Sequence, residues 1–225
     1  MGGERQGRRR PWTWWLGIGL VLAGLGVLGW FAWQFWGTNW VAKRAHERLV
    51  EQVQDVWDDD PDATGAVSFP EGDVEAIIRI PRFGDDYAVP VLSGTSDEVL
   101  TKGFGHFTES ADPGKKGNYA VAAHRVTHGE PLRDMPSLRI GDEVIVETRE
   151  ATYTYELITG GEDLEVTFQD TWVVDALPTN PEKGGTQPPQ RKGQRLITLT
   201  TCAEIFHTDN RLIAFGELVE RQPRA

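Results

Sequence analysis

The chain has 225 residues, 39% hydrophobic and 25% charged, a length that holds one domain of ordinary size plus appendages. The composition, with 25 Gly and 13 Pro, excludes a disordered or collagen-like chain. A formal charge of −11 argues against a nucleic-acid footprint, and a single cysteine excludes an intrachain disulfide and leaves no Cys/His zinc pattern.

Four Arg against one Glu make the first 36 residues positive, whereas the remainder is strongly acidic. No charged residue occurs from Pro11 to Ala42. Residues 12–36 are mostly Leu, Ile, Val, Gly, Ala and Trp, enough at about 1.5 Å per residue to cross a hydrocarbon core of roughly 30 Å. Trp12, Trp14 and Trp15 suit one membrane interface, and Trp30, Trp33, Trp36 and Trp40 the other. A cleaved signal peptide would have a shorter apolar region and a small-residue cleavage site, where this chain has Trp30-Phe31-Ala32-Trp33. The segment therefore reads as an uncleaved signal anchor. Arg5, Arg8, Arg9 and Arg10 precede it, against Lys43, Arg44 and Arg48 after it. The positive-inside bias puts residues 1–11 in the cytoplasm and the bulk of the chain outside.

Trp40–Trp57 reads as a helix, with Val41, Ala45, Leu49 and Val53 at helical spacing, either as a stalk or packed on the domain. Asp58-Asp59-Asp60-Pro61-Asp62 ends it, and residues 37–73 are taken as stalk helix plus linker. From residue 74 to 222 the pattern is one of short strands between turns. They are expected at Val74–Ile80, Tyr87–Leu92, Tyr119–His124, Glu143–Thr148, Thr152–Ile158, Thr171–Asp175, Arg195–Thr201 and Arg211–Val219. Short helices are expected at Ser96–Lys102 and Pro131–Leu138, and a long mobile loop at 176–194. That count suits an all-β domain, a closed barrel or a sandwich.

The lone thiol, Cys202, sits where the β-branched run Leu196–Thr201 ends. Arg211 opens the next apolar run, so antiparallel pairing places the two side by side at a hairpin mouth. A guanidinium there can lower a thiol pKa or stabilise an oxyanion. A cysteine nucleophile also needs a proton carrier, normally histidine. His46, in the helix, reads as solvated surface; His128 and His207 fall in polar turns; His106 reads as wall or surface. His124 ends the alternating run from Tyr119, beside the small Ala123 and next to Arg125. Spacing alone leaves the choice between His124 and the other histidines open.

These strings resemble the sortase family. Thr198-Leu199-Thr200-Thr201-Cys202 with downstream Arg211-Leu212-Ile213 is similar to its cysteine and arginine signature, and Asn118–Arg125 to its histidine segment. Gly103–Phe107 and Trp172–Val174 resemble flanking segments, and the likeness covers about residues 74–219. The resemblance implies a closed eight-stranded β-barrel with short helices, preceded by a transmembrane helix and a stalk helix. It implies a cysteine transpeptidase that cleaves a C-terminal sorting motif of secreted proteins between Thr and Gly and passes the acyl group to a cell-wall precursor amine. Carried over residue by residue, Cys202 is the nucleophile, His124 the acid/base and Arg211 the oxyanion or substrate clamp. Thr201, Phe107, His106 and Ala123 fall to the substrate side.

The strings look most like class E, associated with Leu-Ala-x-Thr-Gly motifs. Phe107 stands where that class often has Tyr, and Ala203-Glu204 where a Pro often follows the cysteine. The alternatives are a pilin-polymerising class C sortase, a hydrolytic cysteine peptidase or L,D-transpeptidase, and an anchored binding module with an inert cysteine. Class C enzymes usually carry an Asp-Pro-aromatic lid, whereas Asp60-Pro61 is followed here by Asp62. No cofactor is expected. Glu162, Asp163, Glu165 and Asp170 supply oxygen ligands suited to calcium, but solvated turns are the preferred reading.

Overall fold

The computed structural model describes residues 12–32, 38–60, 64–202 and 209–224. The tail before residue 12, Trp33, Trp36, Pro61, Asp62, Ala203, Glu204 and His207 lie outside the described residues. The chain divides into two units, the second beginning at Asn39. In the first, helix α1 spans Trp12–Ala32, and Leu20, Leu22, Leu25 and Leu28 on it are exposed. It is long and apolar enough to cross a membrane.

In the second unit, helix α2 (Thr38–Asp59) is followed by strands β1 (Val67–Phe69), β2 (Gly72–Arg79) and β3 (Val89–Ser93). The short helix α3 (Asp97–Leu100) precedes β4 (Phe104–His106) and β5 (Gly117–Ala122). Its N-cap is Ser96, whose hydroxyl accepts from the Val99 N–H, and Asp97 and Glu98 suit the positive end of the helix. Then come β6 (Glu143–Glu147), β7 (Ala151–Leu157), β8 (Glu165–Thr167), β9 (Arg195–Cys202) and β10 (Asn210–Pro223).

The strand order β2-β3-β4-β5-β9-β10-β7-β6 closes on itself, because β6 pairs back onto β2 with Ile78 opposite Val146. Eight strands thus form a closed barrel, which leaves no open sheet edge along that path. Strand β1 forms a hairpin with β2, and β8 flanks the start of β10. Alternation sets which face points inward: Ala151, Tyr153, Tyr155 and Leu157 on β7 are buried and the residues between them are less so. Strand β9 instead buries consecutive residues Leu196–Leu199, because a second apolar layer of Leu164, Val173, Ile213 and Phe215 packs alongside the barrel.

The run Thr171–Asp175, expected as a strand, is a 3-10 turn at Thr171–Val174. The Val173 carbonyl is taken by the Asn118 side-chain amide (3.2 Å), not by a neighbouring strand. Of the helix expected at Pro131–Leu138 only a 3-10 turn at Met135–Ser137 forms. Residues 176–194 form an irregular loop tied by its own side chains. The Asn180 amide N–H donates to Gln187 Oε1 (2.7 Å), and the Gln190 side-chain amide donates to the Pro178 carbonyl (2.9 Å).

Helix α2 packs on the barrel. Leu49, Val50, Val53 and Trp57 are buried against Val74, Ile77 and Leu92, and burying each large apolar side chain contributes about 1.5–3 kcal/mol. The helical period of 3.6 carries the stripe through His46, so Val41 and Ala45 face out. The helix runs the length of the barrel. Asn39 at its start meets Gly129, while Asp58 and Asp60 near its end meet Arg224 and Arg149.

His46, expected as solvated surface, is only 4% exposed. Burial pushes its pKa down to about 4, opposed by a backbone hydrogen bond at Thr101 and reinforced by Lys43 and His128. A depressed histidine stabilises the fold fully only above its unfolded pKa of about 6.5, and that stability is lost as pH falls towards 4. The loss amounts to about 3 kcal/mol over that window. Denaturant midpoints at pH 7 and pH 4.5 for the wild type and His46→Gln check this. The variant should lose less stability on acidification, and equal losses would remove His46 as the cause.

Candidate functional site

Three strands bring the chemistry to one rim. Strand β5 runs parallel to β9 with Ala122 opposite Thr200, so both chains leave the barrel at the same end. Two residues further along each lie His124 and Cys202. The Ala123 N–H donates to the Thr200 carbonyl (3.2 Å), extending the ladder past the end of β5. Strand β10 enters antiparallel from that end, and its Arg211 is the register partner of Cys202. The hairpin-mouth pairing expected from spacing is therefore present in the backbone. The Arg211 side chain is partly exposed, and its Nη1 donates to the Asn210 carbonyl (2.9 Å).

Buried polar side chains hold this rim. The Thr201 hydroxyl donates to the Ala123 carbonyl (2.7 Å), strapping the cysteine strand to the residue before His124. Both Thr201 and Ala123 are buried. Lower on the same strands, the Thr198 hydroxyl donates to Asn118 Oδ1 (2.8 Å), and the Asn118 amide reaches the Asp175 carbonyl (3.1 Å). That pair fastens the Thr171–Val174 turn over the face of β9. Their spacing in sequence carries no sign of this arrangement; strand register alone brings them together.

His124 is partly buried, and its ring stands 4.9 Å from that of His128, centroid to centroid. The Leu132 N–H donates to the His124 carbonyl (3.1 Å). Phe107 is partly buried next to β4, with its N–H on the Ala120 carbonyl (3.0 Å).

His106 belongs to the wall. It is 3% exposed, with Nδ1 2.7 Å from Glu75 Oε2 and Nε2 3.2 Å from the Ser110 hydroxyl. Ser110 Oγ also accepts the Ala120 N–H (3.1 Å). Ser110, His106 and Glu75 thus have the order of a charge relay. The serine oxygen is committed to the backbone and the ring is enclosed, so the set braces the β4–β5 connection.

The acidic residues with calcium-ligand chemistry serve turns. The Asp163 carboxylate accepts the Gly160 N–H (2.6 Å), and Asp170 accepts the Thr167 N–H (2.8 Å) and hydroxyl (2.6 Å). Glu165 and Asp170 also line an open cleft of about 310 Å³ beside Asn210. Among the described residues no three His, Cys, Asp or Glu side chains gather as a metal site.

Asp60 bears on the lid of class C enzymes. Its carbonyl accepts from Arg149 Nε (3.1 Å) and Nη2 (2.9 Å) at the β6–β7 turn. That turn lies beside the Pro223 end of β10, the far end from Arg211. Asp60 is therefore held away from the rim that carries His124 and Cys202.

Residues 78–219 match the sortase domain family. The chain is 34% identical over 212 residues to sortase SrtE1 of Streptomyces coelicolor, covering 91% of this chain and 56% of that one. The chain thus spans little more than half the length of that relative. To sortase SrtE2 of the same organism it is 30% identical over 220 residues, covering 92% of this chain and 82% of the relative. The solved structure of sortase E from Streptomyces avermitilis superposes with a TM-score of 0.58 at 39% identity, over 67% of this chain and 90% of that one. Sortase E1 of Streptomyces coelicolor, solved with a tripeptide in its active site, gives a TM-score of 0.56 at 31% identity, over 70% and 94% of the two chains. With the eight-stranded barrel, these matches show that the chain belongs to the sortase family and is similar to its class E members.

Proposed function

We propose that this protein is a membrane-tethered transpeptidase. It cleaves a sorting motif of the Leu-Ala-x-Thr-Gly or Leu-Pro-x-Thr-Gly type between Thr and Gly, and transfers the acyl group to an amine on a cell-wall precursor. The observation that carries the reading is the register pair of Cys202 with Arg211 at the strand end that β5 and His124 share. The apolar helix α1 supports tethering, and the positive-inside bias supports a catalytic unit outside the cell.

The chemistry follows from those positions. The Cys202 thiolate attacks the Thr carbonyl carbon, and the carbonyl π electrons move to oxygen, where the Arg211 guanidinium balances the charge. Collapse of the tetrahedral species expels the Gly amine, which takes its proton from the His124 imidazolium. The thioester is then attacked by the acceptor amine, whose proton passes to His124, and the thiolate is released. The Thr201–Ala123 hydrogen bond keeps the thiol and imidazole segments in fixed relation through both halves. None of these steps calls on a metal or cofactor.

Mass spectrometry of the products formed from a Leu-Ala-x-Thr-Gly peptide with and without an amine tests this. Transfer product appearing only with the amine supports it, and cleavage elsewhere than Thr–Gly would refute it.

Specificity rests on resemblance to class E, so the Ala-containing motif is expected to be preferred over the Pro-containing one. Phe107 lacks the hydroxyl that Tyr has there, and a lost hydrogen bond costs about 0.5–1.5 kcal/mol net, or roughly threefold to tenfold. Phe107→Tyr should therefore sharpen the preference by that factor in kcat/KM. A wild-type enzyme that favours the Pro peptide would overturn the class E motif while leaving Cys202, His124 and Arg211 in their roles.

A further inference from the structure

Immediately after His124 the backbone makes an uncommon turn. His128, Gly129 and Glu130 have φ of 53°, 84° and 54°, three successive residues in the left-handed region. Non-glycine residues there are infrequent and persist where the surroundings hold them. The holding groups come from α2, some 90 positions earlier in the chain. The Asn39 amide donates to the Val126 carbonyl (3.4 Å) and to Glu130 Oε1, while its Oδ1 accepts the Gly129 N–H (3.2 Å). One buried side chain thus grips the turn at three points. Glu130 is fixed in turn by its ion pair with Arg133.

About two helical turns further along, His46 closes against the same place. A Cβ on Gly129 would stand 2.8 Å from His46 Cε1 and 3.1 Å from Nδ1, so a side chain there would be strained by the left-handed φ and would press on the imidazole. The far side of the turn is tied back to the barrel by the Tyr87 hydroxyl on the Pro131 carbonyl (2.8 Å) and the Leu132 N–H on the His124 carbonyl (3.1 Å). The His128 ring at the apex lies against the His124 ring. A continuous line of contacts therefore runs from the first turns of α2 to the imidazole.

We propose that Asn39, backed by His46, is a positioning residue for His124, acting through the turn at 128–130, so that α2 is a working part of the site. The inference rests on His124 being the acid/base of the reaction. Displacing a proton carrier by a fraction of an ångström lowers turnover without removing substrate contacts. The effect belongs to kcat and to the pH profile, with little change in KM.

The test uses the full-length chain in detergent micelles, with Leu-Ala-x-Thr-Gly peptide and an amine acceptor, and thermal unfolding alongside. Asn39→Ala should lower kcat about tenfold with KM within about twofold, and move the pH limb that is lost in His124→Ala. Asn39→Asp, which sets a carboxylate against Glu130, should be at least as impaired. The paired exchange of Asn39→Asp with Glu130→Gln keeps the acceptor for the Gly129 N–H and, by giving residue 130 an amide donor, restores a donor–acceptor contact across the turn. It should recover most of kcat, and it keeps the comparison valid if Asn39→Ala does not fold. Unchanged kcat and pH profile in both Asn39 variants, or a paired exchange no better than Asn39→Asp alone, overturns the positioning role. Cys202→Ala run in parallel separates the two levels, because retained cleavage there would defeat the transpeptidase reading itself.

Discussion

Cys202→Ala should abolish both cleavage and transfer while the barrel stays folded. The chain has no second thiol to take over, so no thioester can form. The loss in kcat/KM is expected to exceed about 10³-fold, since removing a nucleophile that acts with a proton carrier costs far more than weakened binding does. Folding should survive because the barrel's closing pairs and its two apolar layers lie along the strands, and Cys202 is the last residue of β9. Steady-state assays with the sorting peptide check the activity, and thermal unfolding checks the fold. Cleavage at the wild-type rate would remove the enzyme assignment altogether.

His124→Ala should lower kcat/KM by about 10²–10⁴-fold, the usual worth of a positioned proton carrier. The loss falls on both half-reactions, because the same ring protonates the departing Gly amine and deprotonates the incoming one. A pre-steady-state burst should therefore shrink along with turnover. Replacement of His207, which falls in a polar segment, should cost little. If His207→Ala were the inactive variant, the proton carrier would have to be reassigned away from the end of β5.

The strands that build the rim were legible because each announces its own end. The β-branched run ends at Cys202, the alternating run ends at His124 and the last apolar run starts after Arg211, and these positions meet at one end of the barrel. Strands β1, β4 and β8 gave no such signal, because three residues are too few to show alternation. Trp172-Val173-Val174 read as a strand on composition, yet the Val173 carbonyl is claimed by the Asn118 side chain of β5, a tertiary demand with no local trace. In α2 Leu49, Val53 and Trp57 face inward as their spacing leads one to expect, but steps of four residues drift off the inward face towards the start of the helix. His46 takes an inward position that its polarity disguised, and Val41 and Ala45 turn outward. Least visible was the grip of Asn39 on Gly129, for which neither residue carries a pattern that points to the other.

The most direct measurement is the mass of the intact full-length protein after incubation with a Leu-Ala-x-Thr-Gly peptide and no acceptor amine. A thioester account predicts an adduct equal to the peptide through Thr, located on Cys202, absent from Cys202→Ala and discharged when an amine is added. Cleavage of the peptide with no adduct under rapid quenching, or an adduct that persists in Cys202→Ala, would contradict it.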